Sequence, residues 1–291
     1  MTDRRKCSIC GLPTGLIFSA KIINKYEIDY FSCPNCGLLQ TEDPFWLEEV
    51  YKNPINFFDT GVLSRNMKLC KRATVLLYLL FDRRAAYLDY AGGYGIFTRL
   101  MRDIGFNFFW HDPYSPNLMA RGFEYKRDRD IELITVFETF EHLARPLVEI
   151  EKMLSISRNI LFTTLLLPTE IPGPDDWWYY GREHGQHVSF YSLKTLNYIA
   201  KKYGLRLCSD YRNIHLFSEK PIENKIFDKL INSYNGFTYK DIFNLWAYLG
   251  GFAKENLMNV VDMKKRGLFE FLRDRMPSRT SGDMKYLKED A

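Results

Sequence analysis

Four cysteines near the start of the chain have the types and spacing of a metal site. They form two Cys-x-x-Cys pairs, Cys7 with Cys10 and Cys33 with Cys36, and a glycine follows each pair. Four thiolates in this arrangement can surround one zinc ion tetrahedrally, and the glycines permit the tight turns that aim backbone amides at sulfur. Because cysteine fills all four positions, the ion would be structural. Two disulfides or a redox pair are the alternatives, and neither fits a cytosolic chain without a thioredoxin-like context.

A short apolar stretch runs into a glycine-rich turn at Asp89–Gly95, and a helical pattern follows from Ile96. The residues of this turn that let a backbone approach a ligand closely are Ala91, Gly92, Gly93 and Gly95. The dinucleotide fingerprint Gly-x-Gly-x-x-Gly is not met, because the sixth position counted from Gly93 is Thr98. The spacing favours a different nucleotide-type cofactor, with an ordinary strand-to-helix turn as the alternative.

Acidic residues also end two later apolar stretches. Asp112 follows Phe106–Trp110 at the distance from Asp89 where a doubly wound fold places the carboxylate that accepts from ribose hydroxyls. A turn or helix cap before Pro113 is the alternative role for Asp112. The buried-strand pattern Ile131–Val136 ends in the segment Phe137–His142. Because ligands bind beyond the carboxyl ends of parallel strands, we expect these segments to converge.

Two histidines, His184 and His187, are candidates for a general base that takes a proton from a hydroxyl or amine. A metal pair or two ordinary loop histidines are the alternatives, and no carboxylate spacing near them completes a familiar metal triad. Arg65 could bind a cofactor carboxylate through its guanidinium fork, or it could be a surface arginine. His142 is expected to order the turn that contains Glu138.

Four consecutive aromatic residues precede the histidines. Such a run cannot be buried completely in a helix or strand, so some of its members should line a groove or an interface, where aromatic faces stack on sugar rings or on bases. We expect the acceptor to contact this run, which is Trp177, Trp178, Tyr179 and Tyr180.

Strand and helix patterns alternate along the middle of the chain, which predicts an α/β fold with a parallel sheet, helices on both faces and a closing antiparallel hairpin. We divide the chain into a zinc ribbon (1–45), a cofactor-binding domain (46–220) and a helical C-terminal extension (221–291). The extension has apolar stripes and is interpreted as a lid or a dimerisation element, with packing onto the domain as the alternative. A homodimer is therefore one expectation.

Composition bounds the protein class. The chain has 291 residues, 46% of them hydrophobic, and a net charge of +4, which is too small a charge to imply nucleic acid. No apolar run approaches the roughly 20 residues of a membrane span. The basic N-terminus has no apolar segment of a signal peptide behind it, so we expect a cytoplasmic protein without a membrane partner.

The turn at Asp89–Gly95 resembles motif I of class I S-adenosylmethionine (SAM) methyltransferases, with Ala91 in place of the first glycine. Ile134–His142 is similar to the Phe-Glu-Val-x-Glu-His stretch of bacterial members, and His187–Ser192 resembles their block after the fifth strand. A cysteine knuckle in front is similar to the layout of sugar methyltransferases from deoxysugar and polysaccharide pathways. The resemblance implies a Rossmann-like seven-stranded sheet and SAM as cofactor.

The cofactor contacts that we expect are Asp89, Ala91, Gly92, Gly93, Gly95, Asp112, Pro113, Phe137, Glu138, His142 and Arg65. The leading hypothesis is methyl transfer to a small polar acceptor, a hydroxyl of a sugar nucleotide or glycan, by in-line displacement with His184 or His187 as base. An RNA methyltransferase is the second hypothesis, although only Lys21 and Lys25 are basic between Gly11 and Cys33. A non-catalytic binding module, in which the glycine turn holds nothing, is the third.

Overall fold

The structure is a computed structural model that describes residues 5–52 and 60–232. The strands of this part are β1 (Gly15–Ile22), β2 (Tyr26–Ser32), β3 (Leu39–Thr41), β4 (Ala86–Tyr90), β5 (Asn107–His111), β6 (Ile131–Val136), β7 (Ile160–Thr163), β8 (Ser189–Phe190), β9 (Arg206–Ser209) and β10 (Ile214–Ser218). The helices are α1 (Leu47–Val50), α2 (Val62–Leu80), α3 (Ile96–Asp103), α4 (Pro146–Leu154), α5 (Leu193–Lys202) and α6 (Asn224–Asn232). Short 3₁₀ turns lie at Phe140–His142 and Trp178–Tyr180.

The larger sheet has the strand order β5-β4-β6-β7-β10-β9. Strands β5, β4, β6 and β7 are parallel, and β10 runs antiparallel to both of its neighbours. The predicted α/β class, the parallel sheet and the closing antiparallel hairpin are therefore confirmed. The carboxyl ends of β4, β5 and β6 meet at one edge, which brings the glycine turn and Asp112 next to Phe137–His142.

The prediction of seven strands is corrected to six in the described residues. Beyond β5, where another parallel strand would lie, the described residues make only an isolated parallel bridge between Trp110 and Glu124. Two backbone hydrogen bonds flank it, from Trp110 N to Phe123 O and from Tyr125 N to Trp110 O. The segment 112–130 contains two prolines and a run of charged residues, so it lacks the apolar pattern that would extend this bridge into a strand.

Helices cover both faces of the larger sheet, and successive strand residues face opposite cores. Along β4, for example, Tyr87 is buried with α2, α3 and α6, whereas Leu88 is buried with α4 and α5. Helix α4 begins at Pro146, whose fixed φ suits the first helical position. Helix α5 begins with a capping box between Ser192 and Thr195.

The N-terminal segment forms a second, antiparallel sheet with the order β1-β2-β3-β8. Its last strand comes from the middle of the chain, because Leu39 pairs with Phe190 and Gln40 with Ser189. The core of this sheet includes Tyr30, Trp46 and Phe190. The N-terminal segment is thus joined by backbone hydrogen bonds to the residues that follow His187.

The part of the predicted extension that the structure describes ends at α6, whose apolar residues Phe227, Leu230 and Ile231 are buried against α2. In this stretch the chain packs onto the domain. The rest of the predicted lid or dimerisation element lies outside the described residues. Within 5–52 and 60–232, no helix is both long enough and apolar enough to cross a membrane.

Candidate functional site

The glycine turn joins β4 to α3, and Asp89 holds it from inside. Asp89 is buried, and its carboxylate accepts hydrogen bonds from Thr98 Oγ1 on α3 (2.9 Å) and Thr135 Oγ1 on β6 (3.1 Å). Burial raises the pKa of Asp89 to about 7, against the two threonine hydrogen bonds, which lower it. The side chain of Asp89 therefore fixes the turn to its neighbours rather than projecting towards a ligand.

The glycines of the turn are required for two different reasons. A Cβ on Gly95, whose φ is +82°, would lie 2.9 Å from Ala120 Cβ and 3.1 Å from the Ala120 backbone nitrogen. A Cβ on Gly92 would lie 2.7 Å from Asp89 Oδ2. Gly93, with φ +53°, has no described atom within 4 Å of the position of such a Cβ. Gly92 and Gly95 thus serve the packing of the protein, and Gly93 faces open space in which a ligand can lie. Ala91 also adopts a positive φ, of +56°.

Asp112 ties the glycine turn to the segment after β5. Its Oδ2 accepts from Gly93 N (2.8 Å), and its Oδ1 accepts from Tyr114 N and Ser115 N (2.8 Å each). Pro113 is exposed, and no helix follows it within the described stretch 114–130. Asp112 therefore caps a turn, and its carboxylate stands beside the open face of Gly93, where the predicted ribose contact would have to form.

Glu138 and Arg65 meet at the carboxyl end of β6. Glu138 has a positive φ of +50°, and its carboxylate accepts from Thr163 Oγ1 (2.8 Å) and lies 3.5 Å from Arg65 Nε of α2. Positive φ is uncommon for a residue with a Cβ and tends to occur at functional sites. Phe137 packs edge-on against Phe97 at 4.8 Å between ring centroids, so it belongs to the core behind the turn.

Three histidines from two distant segments form a cluster. The ring of His187 lies 4.9 Å from that of His142 and 4.7 Å from that of His184, measured between centroids. Glu141, which was not among the predicted site residues, contributes a buried carboxyl beside them. Tyr51 Oη lies 2.7 Å from His142 Nδ1, and its ring stacks on Tyr114 at 5.8 Å. We refer to Glu141, His142, His184 and His187 as the histidine cluster.

Tyr51 connects the histidine cluster to the cofactor side, since its partner Tyr114 donates its backbone N–H to Asp112. The signal for Glu141 was its place in the segment Phe137–His142, next to a predicted site residue. Tyr51 had no comparable signal, because it lies outside the motifs from which the site residues were predicted.

Burial favours the neutral forms of Glu141, His142 and His187. It raises the pKa of Glu141 to about 8, helped by the negative charge of Glu138. It lowers the pKa of His142 to about 3, helped by the proximity of His184. It also lowers the pKa of His187 well below the ordinary value, helped by the two neighbouring histidines. A neutral imidazole can accept a proton or bind a metal, whereas the Glu141 carboxyl has to release its proton before it can do either.

The hydrogen bonds of the imidazoles distinguish His187 from His184. His187 Nδ1 lies 2.6 Å from the carbonyl oxygen of Tyr179, so Nδ1 donates and the lone pair is at Nε2. His184 Nδ1 accepts from Gln186 N at 3.1 Å, which assigns the proton of its neutral form to Nε2. Between the two predicted bases, His187 therefore has the nitrogen suited to accept a proton from a substrate.

The predicted acceptor-binding aromatics differ in exposure. Trp178 is 76% exposed and Trp177 is half-buried, whereas Tyr179 and Tyr180 lie in the core. Tyr179 Oη accepts from Leu165 N (3.0 Å), and Tyr180 Oη donates to Pro172 O (2.8 Å). The tryptophans border an open cavity of about 380 Å³, whose charged lining residues are Asp175, Asp176, Arg182 and Glu183. Arg182 is paired with Asp175.

The four predicted metal-ligating cysteines come together. Their sulfur atoms all lie within 4.8 Å of one another, with 3.4 Å between Cys7 and Cys36 and between Cys10 and Cys33. All four are free thiols, so the disulfide alternative is not seen. The glycine after each pair has a positive φ, as the predicted tight turns require. The hydrogen bond with Cys36 lowers the pKa of Cys7 to about 5, which favours a thiolate there.

A family model gives the reaction class of the matched domain. The family model described as "Methyltransferase domain" matches residues 64–210, just over half of the chain. No curated protein matches the chain significantly in sequence. The chain is similar in structure to magnesium protoporphyrin IX methyltransferase (ChlM) from Synechocystis PCC 6803 with bound SAH, at 9% identity and a TM-score of 0.39 over 59% of this chain and 90% of that one.

Two other similar structures carry different names and different bound molecules. An O-methyltransferase family 2 protein from Planctomyces limnophilus DSM 3776, in complex with apigenin, is 15% identical, with a TM-score of 0.37 over 58% of this chain and 63% of that one. The plantazolicin methyltransferase BpumL, in complex with SAH, is 10% identical, with a TM-score of 0.40 over 60% and 89%. At these TM-scores the likenesses do not identify a substrate for this chain.

Proposed function

This chain belongs to the methyltransferase-domain family, and on that premise we propose that it transfers a methyl group from SAM to a hydroxyl of a small polar acceptor, a sugar nucleotide or glycan. The observation that carries the proposal is the contact path from Asp112 through Tyr114 and Tyr51 to His142 and His187. It joins a turn suited to a cofactor with a group suited to accept a proton. Methyl transfer from a sulfonium to a hydroxyl needs both.

The cofactor side is supported by the open face of Gly93 and the neighbouring carboxylate of Asp112. The backbone N–H groups and small residues of the turn would hold the amino-acid or ribose part of SAM, and Asp112 would accept from ribose hydroxyls. Arg65, beside Glu138, is the cation available for the SAM carboxylate. The other predicted cofactor residues, Asp89 and Phe137 among them, would act by keeping the turn in place.

The reaction is an in-line displacement. The acceptor oxygen forms a bond to the methyl carbon as the carbon–sulfur bond breaks, S-adenosylhomocysteine leaves, and the hydroxyl proton passes to Nε2 of His187. The protein's main task is to hold the acceptor at attack distance, so positioning and proton removal account for most of the catalysis. His184 would orient the cluster, since its Nδ1 accepts from Gln186.

The cavity beside Trp178 supports a sugar as the acceptor. An exposed indole face together with carboxylates is suited to a ring that has hydroxyl donors and aliphatic C–H groups. The same carboxylates, Asp175, Asp176 and Glu183, disfavour the phosphate backbone of RNA, because like charges repel. The acceptor proposed here is therefore small and rich in hydroxyl groups rather than a nucleic acid.

The four cysteines fit a structural zinc ion. The four sulfur atoms lie within 4.8 Å of one another, and the Cys7–Cys36 and Cys10–Cys33 distances are each 3.4 Å. Only small adjustments are needed for all four to bind one ion at about 2.3 Å. Zinc bound there has no open position and supplies no chemistry to methyl transfer. The ion would stabilise the N-terminal segment, which is joined to the domain by the pairing of β3 with β8.

The test is a calorimetric titration of the zinc-loaded full chain with SAM, followed by a methylation assay with radiolabelled SAM on a panel of sugar nucleotides. We expect SAM to bind and label to enter a sugar nucleotide. Binding of SAM with label entering RNA alone would favour the second hypothesis. Absence of SAM binding would support the non-catalytic module and refute the proposal.

A further inference from the structure

The histidine cluster contains three donors that converge on one point. One side-chain donor atom each from Glu141, His142 and His187 lies within 4.8 Å of the other two. Two backbone-anchored contacts hold the segments together, from Val188 N to Glu141 O (2.8 Å) and from Ser189 Oγ to Leu143 O (2.8 Å). The convergence is therefore a property of the fold rather than of flexible surface side chains.

Glu141 gives a second, independent indication of a missing partner. It is 1% exposed, and its Oε2 is buried without a hydrogen-bond partner among the residues 5–52 and 60–232. A buried carboxyl oxygen without a partner is destabilising, because it has lost its hydration without gaining a compensating bond. A cation between this oxygen and the two imidazoles would supply that bond, and the carboxyl would release its proton to water as the cation binds.

We propose that Glu141, His142 and His187 bind one divalent transition-metal ion. Two imidazole nitrogens and one carboxylate oxygen suit Zn²⁺, Fe²⁺ or Mn²⁺ better than Ca²⁺ or Mg²⁺, which prefer oxygen ligands alone. The three donors lie within 4.8 Å of one another and would have to close in to bind one ion at the usual 2.0–2.2 Å. Three protein ligands leave at least one coordination position open.

The hydrogen bonds around both imidazoles match those of metal-bound histidines. His187 Nδ1 donates to the carbonyl of Tyr179, and His142 Nδ1 is held by the hydroxyl of Tyr51. Partners of this kind fix the ring orientation and leave Nε2 available as the ligand atom. Gly181 makes room for this arrangement, because a Cβ there would lie 3.3 Å from His187 Nδ1 and closer still to His184.

The catalytic role of this ion rests on the proposed function, and it refines one step of it. An acceptor hydroxyl that enters the open position would lose its proton more readily, because the ion stabilises the alkoxide. His187 is then a ligand, and the proton passes to water instead of to its Nε2. The other steps of the methyl transfer are unchanged: the oxygen–carbon bond forms, the carbon–sulfur bond breaks, and S-adenosylhomocysteine leaves.

The experiment measures metal content and affinity in the full chain, apart from activity. Wild-type protein equilibrated with buffered Zn²⁺ is expected to hold two ions in native mass spectrometry, one at the cysteines and one at the histidine cluster. Glu141→Gln should retain the cysteine-bound ion and bind the second ion more than about tenfold more weakly. Glu138→Gln, a carboxylate three residues away, is the matched control and should keep both ions.

Co²⁺ substitution identifies the sites, because a site of sulfur ligands and a site of nitrogen and oxygen ligands absorb differently. Wild-type protein with one ion only, or a second ion that Glu141→Gln and His187→Gln leave unchanged, would refute the metal site. The wild-type measurement decides the matter even if a variant does not fold. Calorimetry with SAM is run in parallel, so two bound metal ions without SAM binding would overturn the proposed function while leaving the metal site intact.

Discussion

At the scale of single residues, His187 is the position on which methyl transfer should depend most. We expect His187→Gln to lower the rate of methyl transfer by about 10²–10⁴-fold, because it removes the Nε2 that takes the proton or binds the ion that replaces it. The Kd of SAM should stay unchanged, since the glycine turn is untouched. The measurement is kcat by SAM turnover together with the SAM Kd by calorimetry.

The matched variant for His187 is His184→Gln, which changes a neighbouring imidazole of the same loop. Its Nδ1 accepts from Gln186 N, so its Nε2 has no free lone pair in the neutral form. We expect a smaller decrease in kcat from His184→Gln than from His187→Gln. The reverse order would mean that the tautomers assigned here are wrong and that His184 accepts the proton.

Asp89 should make the stability of the protein depend on pH. Burial raises its pKa in the folded state to about 7, from an unfolded value of 3.8. Its contribution to stability is fully present below pH 3.8 and is lost as the pH rises to about 7, by roughly 1.4 kcal/mol per pH unit. Asp89→Asn should remove this loss, so the variant should gain stability relative to wild type between pH 5 and pH 8. Urea unfolding at several pH values measures this difference.

The pH comparison between Asp89→Asn and wild type isolates Asp89 from the buried histidines. Burial lowers the pKa of His142 to about 3, so its contribution is present above pH 6.5 and is lost as the pH falls towards 3. This loss of stability occurs at acid pH and is the same in wild type and in Asp89→Asn. A stability difference between variant and wild type that is the same at pH 5 and pH 8 would contradict the raised pKa of Asp89.

Residue types in the sequence pointed to several members of the candidate site, and contacts across the fold add others. Asp112 and His142 could be found because each follows an apolar strand pattern. Glu141 and Tyr51 become site residues only through contacts with His187 and Tyr114, which are distant in sequence. The run Trp177–Tyr180 is not wholly buried, as predicted, but the periodicity of the sequence could not predict that Trp178 is the exposed member.

At the scale of secondary-structure elements, the β4–α3 turn separates two uses of glycine. Gly95→Ala should destabilise the protein by about 1–3 kcal/mol, because φ is positive and the new Cβ meets Ala120. Gly93→Ala also has a positive φ but open space around it, so its loss of stability should be smaller. Its methyl group would enter the space proposed for SAM, so SAM affinity should fall more than stability does.

Thermal or urea unfolding and SAM calorimetry on both glycine variants check this prediction. Ala91 is the internal reference, since it already adopts a positive φ with a methyl group in place. Equal losses of stability in the two variants would contradict the difference in packing. An unchanged SAM affinity in Gly93→Ala would mean that the cofactor does not lie on the open face of the turn.

The strands themselves were predictable where apolar runs are continuous. Ile131–Val136 has such a run and forms β6, and the alternation with helices gave the correct class of sheet. The seventh strand was expected from a family resemblance rather than from a pattern of its own. The residues near Glu124 have no such pattern, and they contribute a single bridge to Trp110.

At the scale of the whole molecule, the N-terminal cysteine segment and the histidine cluster are mechanically linked. Strand β8, at Ser189–Phe190, begins two residues after His187 and pairs with β3 of the N-terminal sheet. Thr195 Oγ1 on α5 donates to Cys36 O (3.0 Å), and Lys194 Nζ donates to Pro34 O (2.8 Å). A sequence divided at residue 45 could not predict this link, because pairing between distant strands leaves no local signal.

This link predicts a long-range effect of losing the cysteine-bound ion. We expect Cys33→Ser to lower the free energy of unfolding by at least about 2 kcal/mol and to reduce hydrogen-exchange protection at β8 and the first turn of α5, as well as in residues 5–41. Methyl transfer should fall too, because His187 loses the support of the strand that follows it. A cysteine variant is preferable to a chelator, which would also strip an ion from the histidine cluster.

Lys194→Ala is the matched control, since it removes only an exposed hydrogen bond to Pro34 and leaves all four cysteines in place. We expect it to change exchange protection little, and hydrogen exchange followed by mass spectrometry resolves the peptides concerned. Increased exchange in Cys33→Ser confined to residues 5–41 would show that the N-terminal sheet unfolds alone. The pairing of β3 with β8 predicts the opposite, because the backbone hydrogen bonds of Ser189 and Phe190 cannot persist without their partners in Leu39 and Gln40.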